Sequence, residues 1–167
     1  TVILFRDCNA ASLFDATIHY TVFKNDNTYF DTLYTSSANR VITSLPVDYS
    51  NPCVVPPPGL CVDQAVYVDT LTLLPLNIGY YISYQRCCWA ANILNIVNPD
   101  DFGLTLTCVV PGTNQLPVGN NNAARFNNLP PLVLCSENEL DFDHSAFDAD
   151  GDSVRMFLCE VDRLTLA

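Results

Sequence analysis

Apolar and polar positions alternate with a period of two through much of the chain. "ATIHYTVFK" (16–24) alternates and is rich in β-branched and aromatic residues, which predicts a strand. "QAVYVDTLTLL" (64–74), "GYYISYQRC" (79–87) and "FGLTLTCVV" (102–110) predict three more. Turn chemistry separates them, in "KNDN", "NPC", "PPPG", "LPLNIG", "NPDDFG", "PGTNQ" and "GNNN". Only "WAANILNIV" (89–97) suggests a short helical turn. Strands at this spacing, bounded by Pro and Gly turns, predict an all-β fold of the immunoglobulin-like β-sandwich kind.

A polar, turn-rich stretch at 111–131 suggests a boundary. After it come "LVLC", "ELDFDHSA" and "DSVRMFLCEV", three short strand patterns in about forty residues. The expectation is tandem β-sandwich modules: residues 1–115, a linker at 116–130, and the start of a second, incomplete module at 131–167. The chain opens inside an apolar stretch and closes at "VDRLTLA", so it reads as a piece of something longer. No run of about 18 apolar residues is present to cross a membrane as a helix.

Composition sharpens this picture. The net charge is −11, from 18 acids against 7 bases, which argues against nucleic acid and against an anionic membrane surface. Fifteen of the acids are Asp and three are Glu. Asp favours turns and oxygen-rich metal loops, whereas Glu favours helices, so the skew agrees with a β protein carrying elaborate loops. The eight cysteines are Cys8, Cys53, Cys61, Cys87, Cys88, Cys108, Cys135 and Cys159. With no CxxC pair and two histidines, a zinc site is a poor reading. An even count at long spacings favours disulfides and an oxidising compartment. Cys53 and Cys61 flank a short stiff loop and are expected to pair. Cys135 and Cys159 are expected to staple the second module. Adjacent residues of a strand face opposite ways, so Cys87 and Cys88 are expected to bond different partners, with Cys8 and Cys108 as candidates. The alternative is a vicinal disulfide acting as a redox switch.

The sharpest chemical signal is "FDADGDSV" (147–154). Asp148, Asp150 and Asp152 alternate around Gly151, which permits a sharp turn. Calcium takes six to eight oxygens, and carboxylates two apart in a loop supply them. Asp143 and Asp141 lie close enough in sequence to complete such a shell. The twelfth position from Asp148 is Cys159, not Glu, so an EF-hand is excluded. The plain alternative is a solvated turn that favours Asp and Gly.

These segments carry a resemblance. "FDHSAFDADGDSVRMFLC" resembles the start of PKD-like and cadherin-like modules. "FRDCNA", "NPCVVPPPGLCVDQAVYVDTLTLL", "GYYISYQRCCWAANILNIVNP" and "FNNLPPLVLC" together resemble a family of secreted, multidomain Bacteroidota proteins. Many of those proteins carry gliding-motility-associated or type IX secretion sorting domains. The resemblance implies an extracellular, cell-surface, adhesin-like role and a further strand before Thr1, and it supplies no ligand. In that phylum O-glycans are attached at Asp-(Ser/Thr)-apolar triplets, which makes Thr32 and Thr70 candidates, with Ser153 a weaker one.

Catalysis finds little support. His19 shares a strand face with Thr17 and Thr21 and reads as a surface residue, and His144 reads as a strand-edge residue. No GxSxG, Walker loop or HExxH occurs. Tyr80, Ile82 and Tyr84 fall on one strand face and Tyr81 on the other, so the aromatics around Trp89 read as core more readily than as a sugar platform. The expected function is a non-enzymatic structural or adhesive module, rigidified by calcium and disulfides. Its expected partners are other modules of the same long chain, surface glycans or neighbouring subunits. Two alternatives are a polysaccharide-binding accessory module of a secreted hydrolase and a subunit of an extracellular filament.

Overall fold

The computed structural model describes residues 1–36, 39–46, 55, 58–91, 93–115, 121–134, 139–158 and 163–165, the last three as backbone only. The strands are β1 (Val2–Asp7), β2 (Thr17–Lys24), β3 (Tyr29–Ser36), β4 (Arg40–Leu45) and β5 (Val62–Tyr67). They continue with β6 (Tyr80–Cys87), β7 (Phe102–Val110), β8 (Arg125–Phe126), β9 (Ala146–Phe147) and β10 (Arg163–Thr165). The fold is all-β, with antiparallel sheets compatible with a β-sandwich. A 3-10 turn covers Pro99–Asp101, and the described residues of 89–97 form isolated turns where a helical turn was expected.

Contacts group the chain into two units, each discontinuous in sequence. One comprises Thr1–Thr17, Thr35–Thr70 and Asn122–Arg155, the other Ile18–Tyr34, Leu71–Asn121 and Met156–Ala167. This differs from the serial division expected at 116–130. Within residues 122–128, β8 pairs with β9, and the flanking asparagines bond the 143–150 stretch. Nor does β10 begin a new sheet; it pairs with β7. Polar composition marks exposure, not partnership, and an Asn-rich stretch can still pair through its backbone and carboxamides. Of the strand patterns expected after residue 131, "ELDFDHSA" meets β9 at Ala146, and residues 152–158 of "DSVRMFLCEV" lie in no strand.

In the first unit the sheet order is β1-β5-β4. Burial in β5 alternates strictly: Asp63, Ala65 and Tyr67 are buried, while Val62, Gln64 and Val66 are half-buried. That is the period-two pattern of a strand with one covered face. Tyr67 is fully buried and donates its hydroxyl to the Asp15 carbonyl at 2.6 Å. Arg40 donates to the carbonyls of Phe14 and Asp15 at 3.2 and 2.8 Å, so the loop before β2 is held from two strands. The expected strand at 64–74 ends at Tyr67. Beyond it, Asp69 accepts the amide of Thr70 at 2.7 Å and the hydroxyl of buried Thr35 at 2.8 Å. Asp capturing a local amide in this way competes with the ladder.

In the second unit the order is β10-β7-β6-β2-β3. Val22, Tyr80 and Tyr84 are buried on one face, joined by Ile18. On the opposite face Phe23 stacks on its cross-strand partner Tyr81, with ring centroids 4.9 Å apart. The turns at the β6–β7 end lie backbone against backbone. Gly79 has φ +75°, and a Cβ on Gly112 would fall 1.9 Å from the Asn77 carbonyl oxygen. Gly112→Ala is therefore expected to cost about 1–3 kcal/mol, because rigid backbone must move. Urea unfolding reads this directly, and an unchanged midpoint would mean that the two turns separate freely.

Candidate functional site

The acidic loop is built from its own hydrogen bonds. Asp148 is 7% exposed, and its Oδ1 accepts the amides of Asp150 at 2.9 Å and Asp152 at 3.3 Å. The Gly151 amide donates to the Asp148 carbonyl at 3.3 Å, and Gly151 takes φ +82°, where a side chain would be strained. An Asp that captures the amide two residues on makes an Asx turn, and the first Asp of the motif does this here. Asp150 is held elsewhere: its carboxylate accepts the backbone amide of Asn122 and its Nδ2, the latter at 3.0 and 3.2 Å.

Asp143 accepts the Ser145 amide at 2.8 Å, the Ser145 hydroxyl at 3.0 Å and Asn128 Nδ2 at 3.2 Å. These donors, the Ser145 amide first, hold its carboxyl below the ordinary 3.8. Asn127 completes the clamp, with its amide on the Ser145 carbonyl at 3.0 Å and its Nδ2 on the Ser145 hydroxyl at 2.8 Å. Three asparagines from the segment expected to be a linker thus hold the acidic stretch. Their carboxamides are the signal that sequence reasoning passed over, since each supplies two donors to match an acceptor-only carboxylate.

Among the described residues, no three of Asp141, Asp143, Asp148, Asp150 and Asp152 bring carboxylate oxygens within 4.8 Å of one another. One group of three close ligand atoms does occur, from Asp7, Cys8 and Cys61. Its two sulfurs are joined to each other, so it offers a single carboxylate.

That disulfide corrects the expected pairing of Cys61 with Cys53. The β1–β5 register runs from Val2 opposite Tyr67 to Asp7 opposite Val62, and its next step sets Cys8 opposite Cys61. The Cys8 amide donates to the Cys61 carbonyl at 3.3 Å, and the Cα atoms are 5.5 Å apart. Strand register, not closeness in sequence, chose the partner. Cys87 and Cys88 are bonded to each other across a cis peptide, not to separate partners. β6 ends at Cys87, so the rule that neighbours face opposite ways stops there. Cys108 carries a free, exposed thiol. Cys53, Cys135 and Cys159 lie outside the described residues.

Beside the Cys8–Cys61 bridge sits a network the sequence did not announce. Buried Asp63 accepts Arg6 at 3.0 Å and the Ser44 hydroxyl at 2.7 Å. The register makes these three neighbours, since Asp63 faces Arg6 on one side and Ser44 on the other. Arg6 also donates to the Ser12 carbonyl at 2.8 Å and lies 4.9 Å from the centre of the Phe14 ring.

Of the remaining candidates, His19 is exposed beside Tyr34, and His144 sits edge-on to Phe142. Tyr80 and Tyr84 are buried, as alternation implied, and Trp89 is half-buried. Thr32 is half-buried and Thr70 exposed, and each donates its amide to the Oδ1 of the preceding Asp, at 2.8 and 2.7 Å. No known family model, curated protein or solved structure matches the chain. No helix of the described residues is long and apolar enough to cross a membrane. The disulfides point to an oxidising environment.

Asp63 gives a pH prediction. The Ser44 hydroxyl, followed by Arg6, holds its carboxyl below the ordinary 3.8. The unfolded chain therefore takes up this proton first, and folding gains stability from Asp63 at pH values above 3.8. That gain is lost as pH falls from there through the lowered folded value. Asp63→Asn is expected to lower the melting temperature at pH 7 and to flatten the acid limb of its pH profile, as scanning calorimetry would show. An acid limb as steep as wild type would remove Asp63 from that account.

Proposed function

We propose that the chain is a non-catalytic structural or adhesive part of an exported bacterial cell-surface protein, built of immunoglobulin-like sandwich modules and stapled by disulfides. The observation that carries this reading is the deployment of its polar side chains. Arg6 and Ser44 both bond Asp63 across a sheet, Arg40 and Tyr67 hold a loop, and Asn122 and Asn128 hold Asp150 and Asp143. These groups brace the scaffold. General acid–base chemistry favours a group whose pKa is tuned toward the working pH. The aspartates with shifted values, Asp26, Asp63 and Asp143, are all held lower, farther from neutrality. Exposed apolar residues such as Tyr34, Leu94 and Val97 offer contact surface to a neighbour. The resemblance to exported Bacteroidota surface proteins supports the same reading, and glycans on Thr32 and Thr70 belong to it.

The test is to digest intact source cells with protease and identify the released peptides by mass spectrometry. Release of this chain's peptides from unlysed cells is expected. Recovery only after lysis, with reduced cysteines, would overturn the proposal. Specific retention by an immobilised polysaccharide, lost on Tyr29→Ala or Tyr34→Ala, would move the accessory-module alternative to first place.

Calcium enters as a second reading, favoured by the turn at Asp148. That carboxylate uses one oxygen twice, and a carboxylate offers about four acceptor positions. The loop is thus preformed with acceptor capacity in hand. If calcium clamps it, millimolar calcium raises the melting temperature above that in chelator, and Asp150→Asn abolishes the difference. Coincident melts would assign the loop to a plain hydrogen-bonded turn.

A further inference from the structure

We infer that Asp150–Gly151 is a site of spontaneous aspartate isomerisation, and that Asn122 is the residue that holds the reaction back. The inference stands whatever the module binds.

The chemistry is intramolecular. The Gly151 amide nitrogen attacks Cγ of Asp150 and closes a succinimide ring. The nitrogen gives up its proton and the carboxyl gives up its hydroxyl, and the two leave as water. Water then reopens the ring at either carbonyl. One opening restores the aspartate. The other leaves the main chain running through the Asp150 side chain, with the α-carboxyl free. No oxidant, cofactor or enzyme takes part. Glycine in the following position favours the step, because it has no Cβ to crowd the nitrogen or to limit the backbone. Asp150–Gly151 is the one Asp-Gly pair in the sequence, and no Asn-Gly pair occurs.

Packing does not protect the bond. Asp150 and Gly151 are both exposed, and a Cβ placed on Gly151 would meet nothing within 4 Å. Hydrogen bonds restrain the two reacting groups instead, one set on each. The nitrogen that attacks donates to the Asp148 carbonyl at 3.3 Å, beyond the usual range for such a bond. The carboxyl that is attacked is held by Asn122, 28 positions away in sequence. The Asn122 backbone amide donates to Oδ2, and Nδ2 donates to Oδ1 at 3.0 Å and Oδ2 at 3.2 Å. Both carboxylate oxygens are therefore engaged by one residue. The Asp150 side chain cannot turn onto Gly151 without giving up these bonds. Bonds to a charged acceptor are the stronger kind, so Asn122 is the firmer of the two restraints. Reaction then proceeds from the small population in which the loop has opened locally.

The product undoes the turn that Asp148 builds. Isomerisation adds one carbon to the main chain between residues 150 and 151. The amides of Gly151 and Asp152, which now donate to the Asp148 carbonyl and Oδ1, are displaced from it. The group that Asn122 held becomes main chain.

The experiment ages native protein for several weeks at body temperature and mildly acidic pH. Samples are then reduced, alkylated and digested with trypsin. Asp150 lies in the peptide spanning residues 126–155. The isomer keeps the same mass, separates by chromatography, and is located at residue 150 by electron-transfer fragmentation. Asn122→Ala is expected to isomerise about ten-fold faster than wild type, the effect of losing a hydrogen bond to a charged group. Asn128→Ala removes the carboxamide on Asp143 and leaves Asn122 in place, and it is expected to match wild type. Asp150→Glu, which would need a larger ring, is expected to stay intact. Equal rates in wild type and Asn122→Ala would overturn the inference. An equal rise in Asn128→Ala would also overturn it, since general loosening of the acidic stretch would then be the cause. Folded wild type against wild type in urea needs no variant. Faster isomerisation in urea is expected, and equal rates there would show that the fold restrains nothing.

Discussion

The register of the antiparallel ladders is the constraint on which the rest of this structure depends. Side chains alternate with a period of two, so a slip of one residue would turn every side chain of a strand to the other face. In the β1-β5-β4 sheet the register buries Asp63, Ala65 and Tyr67 together. The same register sets Arg6 and Ser44 on either side of Asp63, so a buried carboxylate meets a cation and a hydroxyl donor at once. Without that coincidence an aspartate 8% exposed would carry a desolvation cost with no compensation. The register also carries Cys8 to Cys61, and the disulfide locks the ladder that produced it. Closing a loop across 53 residues restricts the unfolded chain, worth about 4 kcal/mol in the chain-entropy account.

A chain with net charge −11 has far more carboxylates than cations to pair with them. The structure answers with neutral donors. Asp143 and Asp150 are met by asparagine carboxamides, Asp148 by amides of its own turn, and Asp69 by a buried threonine hydroxyl. Hydrogen bonds to a charged acceptor are stronger than neutral ones, so these contacts order loops without ion pairs. The Asn-rich segment at 121–128 is therefore structural, although its composition is that of a spacer. Hydrogen-bond donors likewise pull Asp26, Asp63 and Asp143 to lower pKa values.

Sequence alone determined the all-β class and several strands closely. Expected strands at 16–24, 79–87 and 102–110 correspond to Thr17–Lys24, Tyr80–Cys87 and Phe102–Val110. Alternation also placed Tyr80 and Tyr84 in the core and Tyr81 on the other face. Turn chemistry around Gly151 was legible because an Asx turn is closed by residues two apart. All of these are local properties, set by side-chain periodicity and by the conformations that Asp and Gly allow.

Partnership was decided only in three dimensions. β1, β3 and β4 were not singled out beforehand, because short runs such as "VILFRD" and "RVITSL" show their role only once a neighbouring strand pairs with them. Cys61 chose Cys8 over nearby Cys53, the expected linker became the partner of the acidic loop, and β10 returned to β7 across more than fifty residues. Every strand edge presents the same row of amides and carbonyls, so a local stretch of sequence cannot name its partner. The choice is made when distant faces are buried together, and only the tertiary structure records it.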